Sequence, residues 1–356
     1  MKKFKSDDLK SLTKRLFLAL GFSEEEAAIG CDHLIENNLI GANSHGIIRI
    51  LQYASEVKEQ KRLRLNVTPG ILRQEGGVVL MNAGFCLGPV AAIKATETAI
   101  ELARKHGIGS VTVKNIHHTG RVGAYTSLAS SHDMVGFACV NIPTQRMMRV
   151  APFGGREGRI TTNPISFSCP RNKEYPFLVD MATSTVAEGK VRVARNRKEK
   201  LPNDWIIDKD GKSSDNPDDL YNGGALLPLG GYKQGHKGFA LGLIVEILAG
   251  ALSGNKVAQK NIDQDGGGFF ILVLNIKRYL PLEEFKEEIE KLCSHVKDTP
   301  KLPGFEEIII PGEIEYYTKI RNLREGIFLE NKTWNEIIEL SRKLGVRVED
   351  VIHSEV

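Results

Sequence analysis

The run SHGIIRILQY, residues 44–53, brings Ser44, His45, Arg49 and Tyr53 into one short stretch. If a helix begins just after Gly46, Arg49 and Tyr53 are four positions apart and share a face. Ile47, Ile50, Leu51 and Ala54 then supply the buried stripe, so neither Arg49 nor Tyr53 need lie in the core. A guanidinium there can grip a carboxylate through paired hydrogen bonds, and a tyrosine hydroxyl can add a donor. His45 sits just ahead of the helix, where the terminus favours an anion and lowers an imidazole's pKa. The set could clamp an acid and move a proton. It also suits a plain helix start, with Ser44 as cap and His45 as a solvated turn residue.

Three further stretches carry chemistry-bearing residues. KNIHHTGRVGAY, residues 114–125, follows an expected strand and precedes a helix, where α/β proteins place ligands. His117 and His118 are adjacent, so their side chains diverge, which weakens a two-histidine metal site. A structural histidine in a turn is the alternative. In LVDMATSTVAEGKV, residues 178–191, Asp180 ends a strand and Thr183 or Ser184 can cap the next helix. Such a carboxylate can orient an imidazole, accept from a ligand hydroxyl, or simply occupy a turn. LGGYKQGHKGFALG, residues 229–242, sets glycines and Lys237 before an apolar helix, an arrangement suited to an anion. It is not a phosphate-binding Walker loop, because His236 stands where that motif needs lysine. No GxGxxG follows a strand either, since the nearest attempt fails at Thr112, and no HExxH spacing occurs.

The elements that must hold these residues follow from periodicity. Ser6 can cap a helix whose apolar positions Leu9, Leu12, Leu16 and Leu20 end at Gly21. Ser23 with Glu26 predicts a capping box for a second helix that turns Ala27, Cys31, Leu34 and Ile35 inward. GVVLMN and GSVTV read as strands flanking a helix that starts at Pro89 and stops at Gly107. VGFACV, ISFSC and FLVDM read as further strands, residues 195–236 as loop-rich, Lys237–Leu252 as one helix, and GGFFILVLN as a fully buried strand. Helices resume at Pro281, and Thr333 with Glu336 caps the last.

A chain of 356 residues can bury more than one core. Residues 1–74 with 255–356 are expected to form a helix-rich domain, and 75–254 an inserted α/β cofactor-binding domain, giving a mixed α+β, non-Rossmann fold. Lys and Arg number 48 against 44 Asp and Glu, a net charge of +4, which does not suggest a nucleic-acid binder. Cys31, Cys86, Cys139, Cys169 and Cys293 are scattered, with no CxxC, and fit reduced buried thiols in the cytoplasm. No apolar run is long enough to span a bilayer. We therefore expect a soluble, intracellular, unprocessed protein.

Taken in order, NSHGIIRI, HHTGRVGAY, APFGGREGRITTNPISFSCP, LVDMATSTVAEGKV, LPNDWIIDKDGKSSDNP and YKQGHKGFALGLIVEILAG resemble the non-Rossmann malate/L-lactate dehydrogenase family over residues 5–345 or so. The resemblance implies an NAD- or NADP-dependent exchange of a 2-hydroxy acid and its 2-oxo acid by hydride transfer, in a homodimer with no resident metal. Reduction of a diketo sugar acid or cyclic imine, or ureidoglycolate oxidation, occurs on the same scaffold. It further implies Ser44 as relay, His45 or His118 as proton carrier, and Arg49 as substrate grip. Asp180, Met181 and Ala182 would line the cofactor, with Lys237, His118 and Asn141 in contact with it. Asp180 or Ser44 would hold the imidazole's tautomer. The second histidine and Arg121 depart from the usual loop, and an added cation there could favour the 2′-phosphate of NADP. A metal-dependent hydrolase using His45, His118 and Asp180, and a non-catalytic nucleotide-binding module, are the contrasting readings.

Overall fold

The structure is a computed structural model and describes residues 2–144, 147–262 and 266–352. The chain opens with β1 (Lys2–Phe4), α1 (Ser6–Leu20), α2 (Glu24–Leu39), a 3-10 turn at Asn43–His45 and α3 (Arg49–Lys58). The sheet region then runs β2 (Gly70–Glu75), β3 (Val78–Asn82), α4 (Gly88–His106), β4 (Ile108–Ile116), α5 (Gly123–Ser131) and β5 (Met134–Asn141). It continues with β6 (Ile165–Cys169), β7 (Phe177–Met181) and α6 (Glu188–Arg197). Short pieces follow: β8 (Ile206–Ile207), β9 (Ser213–Ser214), β10 (Ala225–Leu226) and α7 (Gly231–Gln234). The remainder is α8 (His236–Val245), β11 (Gly267–Asn275), α9 (Leu282–Lys297), α10 (Glu313–Glu325), β12 (Ile327–Leu329) and α11 (Asn331–Lys343).

Local rules account for much of this. The apolar period of α1 buries Leu9, Leu12, Leu16 and Leu20, and Gly21 closes it in the left-handed conformation. The Ser23–Glu26 capping box forms on α2. Pro89 opens α4 and Gly107 ends it. Three caps fall elsewhere. Ser6 lies inside α1, which is preceded by Lys5 and stabilised by Asp7 and Asp8 in its first turn. Thr333 lies inside α11, where it is buried, and Glu330 takes the cap position without a side-chain bond. Thr183 and Ser184 donate to the carbonyls of Thr162 and Val186, well ahead of α6. The helix expected over 237–252 changes winding at Glu246, where α8 passes into a π-helical segment, Glu246–Ala251.

Seven strands form the main sheet in the order β2-β3-β4-β11-β5-β6-β7, with β3 and β4 parallel and the other neighbours antiparallel. β11 is the central strand, with Phe269 facing Val113 on one side and Val140 on the other. A boundary at 255 therefore separates from the sheet the strand that completes its middle. Its run GGFFILVLN is apolar throughout because a central strand is covered on both faces. The two largest apolar cores sit side by side. One joins both chain ends, from Phe4, Leu12, Phe17 and Leu34 to Ile327, Trp334 and Ile337. The other packs α4 and α5 onto the sheet. Among the described residues, no helix is long and apolar enough to cross a membrane.

Candidate functional site

The chemistry-bearing residues meet where the two cores adjoin. α2 and α3 bring Ser44, His45, Arg49 and Tyr53 from the first, and the loop after β4 brings His118 from the second. The 43–45 turn is held from behind by α2. Asn37 donates to the His45 carbonyl at 3.0 Å, Asn38 donates to Asn43 at 2.9 Å, and the Asn38 oxygen accepts from the Ile47 N–H at 2.7 Å. Gly46 is required here, since a Cβ would overlap the Asn38 amide.

His45 and His118 lie ring over ring, with centroids 5.6 Å apart and planes 11° from parallel. Ser44 Oγ meets His45 Nδ1 at 3.0 Å, and Tyr53 Oη meets His118 Nδ1 at 3.1 Å. Each imidazole is thus fixed through Nδ1, and among the described residues neither Nε2 has a hydrogen-bond partner. His117 turns the other way, to the Arg62 carbonyl at 2.8 Å and the edge of Phe85. Adjacent histidines do diverge, and His118 is the one facing His45.

Arg49 is positioned by its own neighbours. Its Nε donates to the Ser44 carbonyl and one Nη to Gln52, both at 2.7 Å. The Nε and one terminal nitrogen of the fork are therefore engaged, and among the described residues Nη2 is left for a ligand. Tyr53 is fully buried, contrary to the expectation of a substrate-facing hydroxyl. It shares a face with Arg49, but one turn deeper the face enters the core, and its hydroxyl serves His118. Tyr53 Oη is also held neutral, because burial raises its pKa well above the usual value.

Burial dominates the electrostatics. The His45 pKa is pushed down to about 3, first by desolvation and then by the guanidinium groups of Arg49, Arg121 and Arg192. His118 is driven well below the ordinary value by the same burial and by Arg49. The expected depression at His45 is present, but desolvation, not a helix terminus, is its leading cause. Both rings are neutral at pH 7, so both can accept a proton.

Asp180 stands behind this layer. It accepts from the Gly123 N–H at 2.9 Å and pairs with Arg121 at 3.6 Å, while burial raises its pKa. A Cβ at Gly123 would fall 2.6 Å from the same carboxylate oxygen, so that position needs glycine. Asp180 orients no imidazole among the described residues; Ser44 and Tyr53 do that. Arg121 is drawn inward, its Nε donating to Asn37 at 3.1 Å. It therefore gives no ground for a 2′-phosphate. Met181 and Ala182 follow, half-buried, at the end of β7.

Two expected residues lie apart from the histidines. Asn141 is fully buried and saturated: its amide donates to Glu246 at 3.1 Å and the Lys256 carbonyl at 3.3 Å, and its oxygen accepts from Gly268 at 2.9 Å. Lys237 is exposed in the first turn of α8. The turn before it is tied to the residues after Ala182, with the Leu229 N–H on the Thr183 carbonyl and the Thr185 N–H on the Leu227 carbonyl, both at 2.9 Å.

Sequence reasoning missed His33 and Asn37. His33 accepts from the Arg121 N–H at 3.2 Å and stacks on Tyr125 at 5.7 Å, and its pKa is pushed down to about 3, chiefly by burial. Asn37 joins Arg121 to the His45 turn. The available signal was a polar pair four apart on α2, flanked by apolar residues. Among the described residues, no group of three or more His, Cys, Asp or Glu is placed to hold a metal.

Comparison with known proteins follows the same outline. The malate/L-lactate dehydrogenase family model matches residues 4–338. A malate dehydrogenase of Pyrococcus abyssi is 38% identical over 96% of this chain and 94% of its own. An L-sulfolactate dehydrogenase of Methanocaldococcus jannaschii is 34% identical over 98% of this chain and 99% of its own. The solved malate dehydrogenase of Pyrococcus horikoshii superposes with a TM-score of 0.88 at 34% identity, covering 97% of this chain and 96% of that one.

Proposed function

The chain belongs to the malate/L-lactate dehydrogenase family and is a 2-hydroxy acid dehydrogenase, and we propose that His118 is its proton carrier and Arg49 its substrate grip. The reading rests above all on one observation. An imidazole with an unmatched Nε2 sits beside a guanidinium whose Nη2 has no hydrogen-bond partner among the described residues. Arg49 holds the carboxylate of a small malate- or lactate-like acid and so fixes the position of its C2. His118 Nε2 takes the hydroxyl proton as the acid is oxidised and returns it to the carbonyl oxygen in reduction. Tyr53, neutral and able to donate or accept, suits Nδ1 of His118 in either tautomer. A bound carboxylate offsets the Arg49 charge and raises the imidazole pKa again, which aids the protonated form that reduction needs.

The coenzyme is NAD or NADP, and when bound it supplies or accepts the hydride. The residues present fit such a group. Arg121 Nη1 is buried without a hydrogen-bond acceptor, and Lys237 with the amino end of α8 suits a phosphate. Asp180, Met181 and Ala182 would line the nicotinamide. The protein works as a homodimer in the cytoplasm: Leu292, Phe305, Ile314 and Tyr317 are exposed apolar residues on and between α9 and α10, and all five cysteines are free buried thiols. Light scattering giving twice the chain mass checks the first.

The decisive assay follows NADH and NADPH absorbance against oxaloacetate, pyruvate, a diketo sugar acid and a cyclic imine. Oxidation of either coenzyme by an open-chain 2-oxo acid is expected. Turnover of the imine or sugar acid alone would overturn the substrate class.

A further inference from the structure

Arg192 lies outside every role assigned so far. It is half-buried on α6 and makes no hydrogen bond or ion pair among the described residues. Its placement follows from its helix. Gly189, in the first turn of α6, faces the catalytic turn so closely that a Cβ there would lie 3.1 Å from Ser44 Cβ. Residues three and four apart on a helix are neighbours, so Arg192 continues the face begun by Glu188 and Gly189. The acidic neighbour does not pair with it: Glu188 accepts from the Tyr221 hydroxyl at 2.6 Å and makes no ion pair with Arg192 among the described residues. The adjacent arginines have partners of their own. Arg149 and Arg195 lie over the Tyr221 ring, at 5.1 and 4.6 Å from its centroid, and Arg195 is paired with Asp218.

The charges reaching His45 are correspondingly one-sided, coming from Arg49, Arg121 and Arg192 with no carboxylate among them. Arg121 has Asp180. Arg49 takes the carboxylate beside the reacting carbon. Arg192 has no ion-pair partner among the described residues, in a region already partly shielded from water, where an unpaired charge is costly. A substrate with one acidic group leaves that charge bare, whereas one with two can cover it.

We infer that Arg192 reads a second acidic group on the substrate, so that the site selects dianionic 2-hydroxy and 2-oxo acids over monoanionic ones. This rests on the hydroxy-acid reading above and narrows it to acids with a second carboxylate or a comparable anion at the far end.

The test measures kcat/KM for oxaloacetate and pyruvate in the wild type, R192Q and R192K. The wild type favours oxaloacetate. In R192Q the oxaloacetate-to-pyruvate ratio falls at least about tenfold, through KM for the dianion, as loss of one charge-assisted contact requires. R192K recovers most of the ratio, since a lysine still presents a point charge. A ratio unchanged in R192Q, or a loss that R192K does not repair, overturns the inference. Inhibition of the wild type gives a reading free of folding effects: succinate must compete better than propionate, and equal inhibition overturns the inference. A wild type that turns over neither acid with either coenzyme would instead remove the underlying hydroxy-acid reading.

Discussion

Two buried polar assemblies of this protein look alike in composition and differ in completeness. Around Glu246, the carboxylate accepts from Asn141 at 3.1 Å, Asn163 at 2.8 Å and the Ala258 N–H at 2.8 Å, and Asn141 is matched on every side. Around His118, two imidazole Nε2 atoms and Nη2 of Arg49 have no hydrogen-bond partner among the described residues, and Arg121 Nη1 is buried without an acceptor. Buried polar groups are ordinarily satisfied, so a closed network is architecture, and a network that keeps open valences is prepared for a ligand. Polarity and burial alone would have ranked the two equally.

The sharpest way to break this contrast is to remove the open side. His118→Ala should lower kcat by roughly 10²- to 10⁴-fold, the range for loss of a positioned acid–base group, while the protein stays folded. His45→Ala should cost less. The reverse order would move the proton to His45, and near-wild-type turnover in both would remove the imidazoles from the chemistry.

The same imidazoles make a pH signature. His33 and His45 have folded pKa values of about 3 against 6.5 when free, both set first by burial. The unfolded chain therefore binds protons that the folded chain refuses. Their contribution is fully present above pH 6.5 and is lost as the pH falls toward about 3. Each group adds a slope of up to about 1.4 kcal/mol per pH unit in that window. Urea midpoints should drop between pH 7 and pH 5, and His45→Ala should flatten the drop. A wild-type midpoint that does not move would mean these rings are hydrated in the folded state.

On the closed side, Glu246→Gln keeps the shape but turns an amide donor toward the amides of Asn141 and Asn163. The expected cost is about 1.5–3 kcal/mol of stability, with kcat per folded molecule preserved. Calorimetry with active-site titration separates the two, and a loss of kcat without loss of stability would place Asn141 back beside the coenzyme.

The contrast also shows what the sequence could reveal. α1, α2 and α4 were legible because their signals are local: a helical period, a capping box, and a proline and glycine at the two ends. The strands of the central sheet were legible as apolar runs. β2 was not, because all six of its residues are exposed and it carries no alternation. β1 and β12 are three-residue strands that pair only across the length of the chain. His45, Arg49 and His118 could be singled out by residue type and resemblance, yet their partners could not. His33 meets Arg121 across 88 positions, and Asn141 meets Glu246 across 105. Asn141 resembled a ligand contact because its saturating partner is invisible in one dimension. Tyr53 resembled one because spacing gives its face, not its depth.

Arg49→Lys gives the mildest change and tests the geometry most finely. The guanidinium is fixed by the Ser44 carbonyl and Gln52, both at 2.7 Å, so its free Nη2 arrives at one place and angle. A lysine keeps the charge but loses the fork and its anchoring bonds, and points a hydrated, mobile ammonium into the site. KM for a 2-oxo acid should rise about tenfold or more, equivalent to roughly 1.4 kcal/mol. If the carboxylate grip also sets the distance from C2 to the hydride, kcat should fall with it; a pure KM effect would mean that Arg49 only gathers the acid and that the histidine pair does the aligning. An unchanged KM would remove Arg49 from the open assembly and leave Arg192 as the cation that the substrate meets.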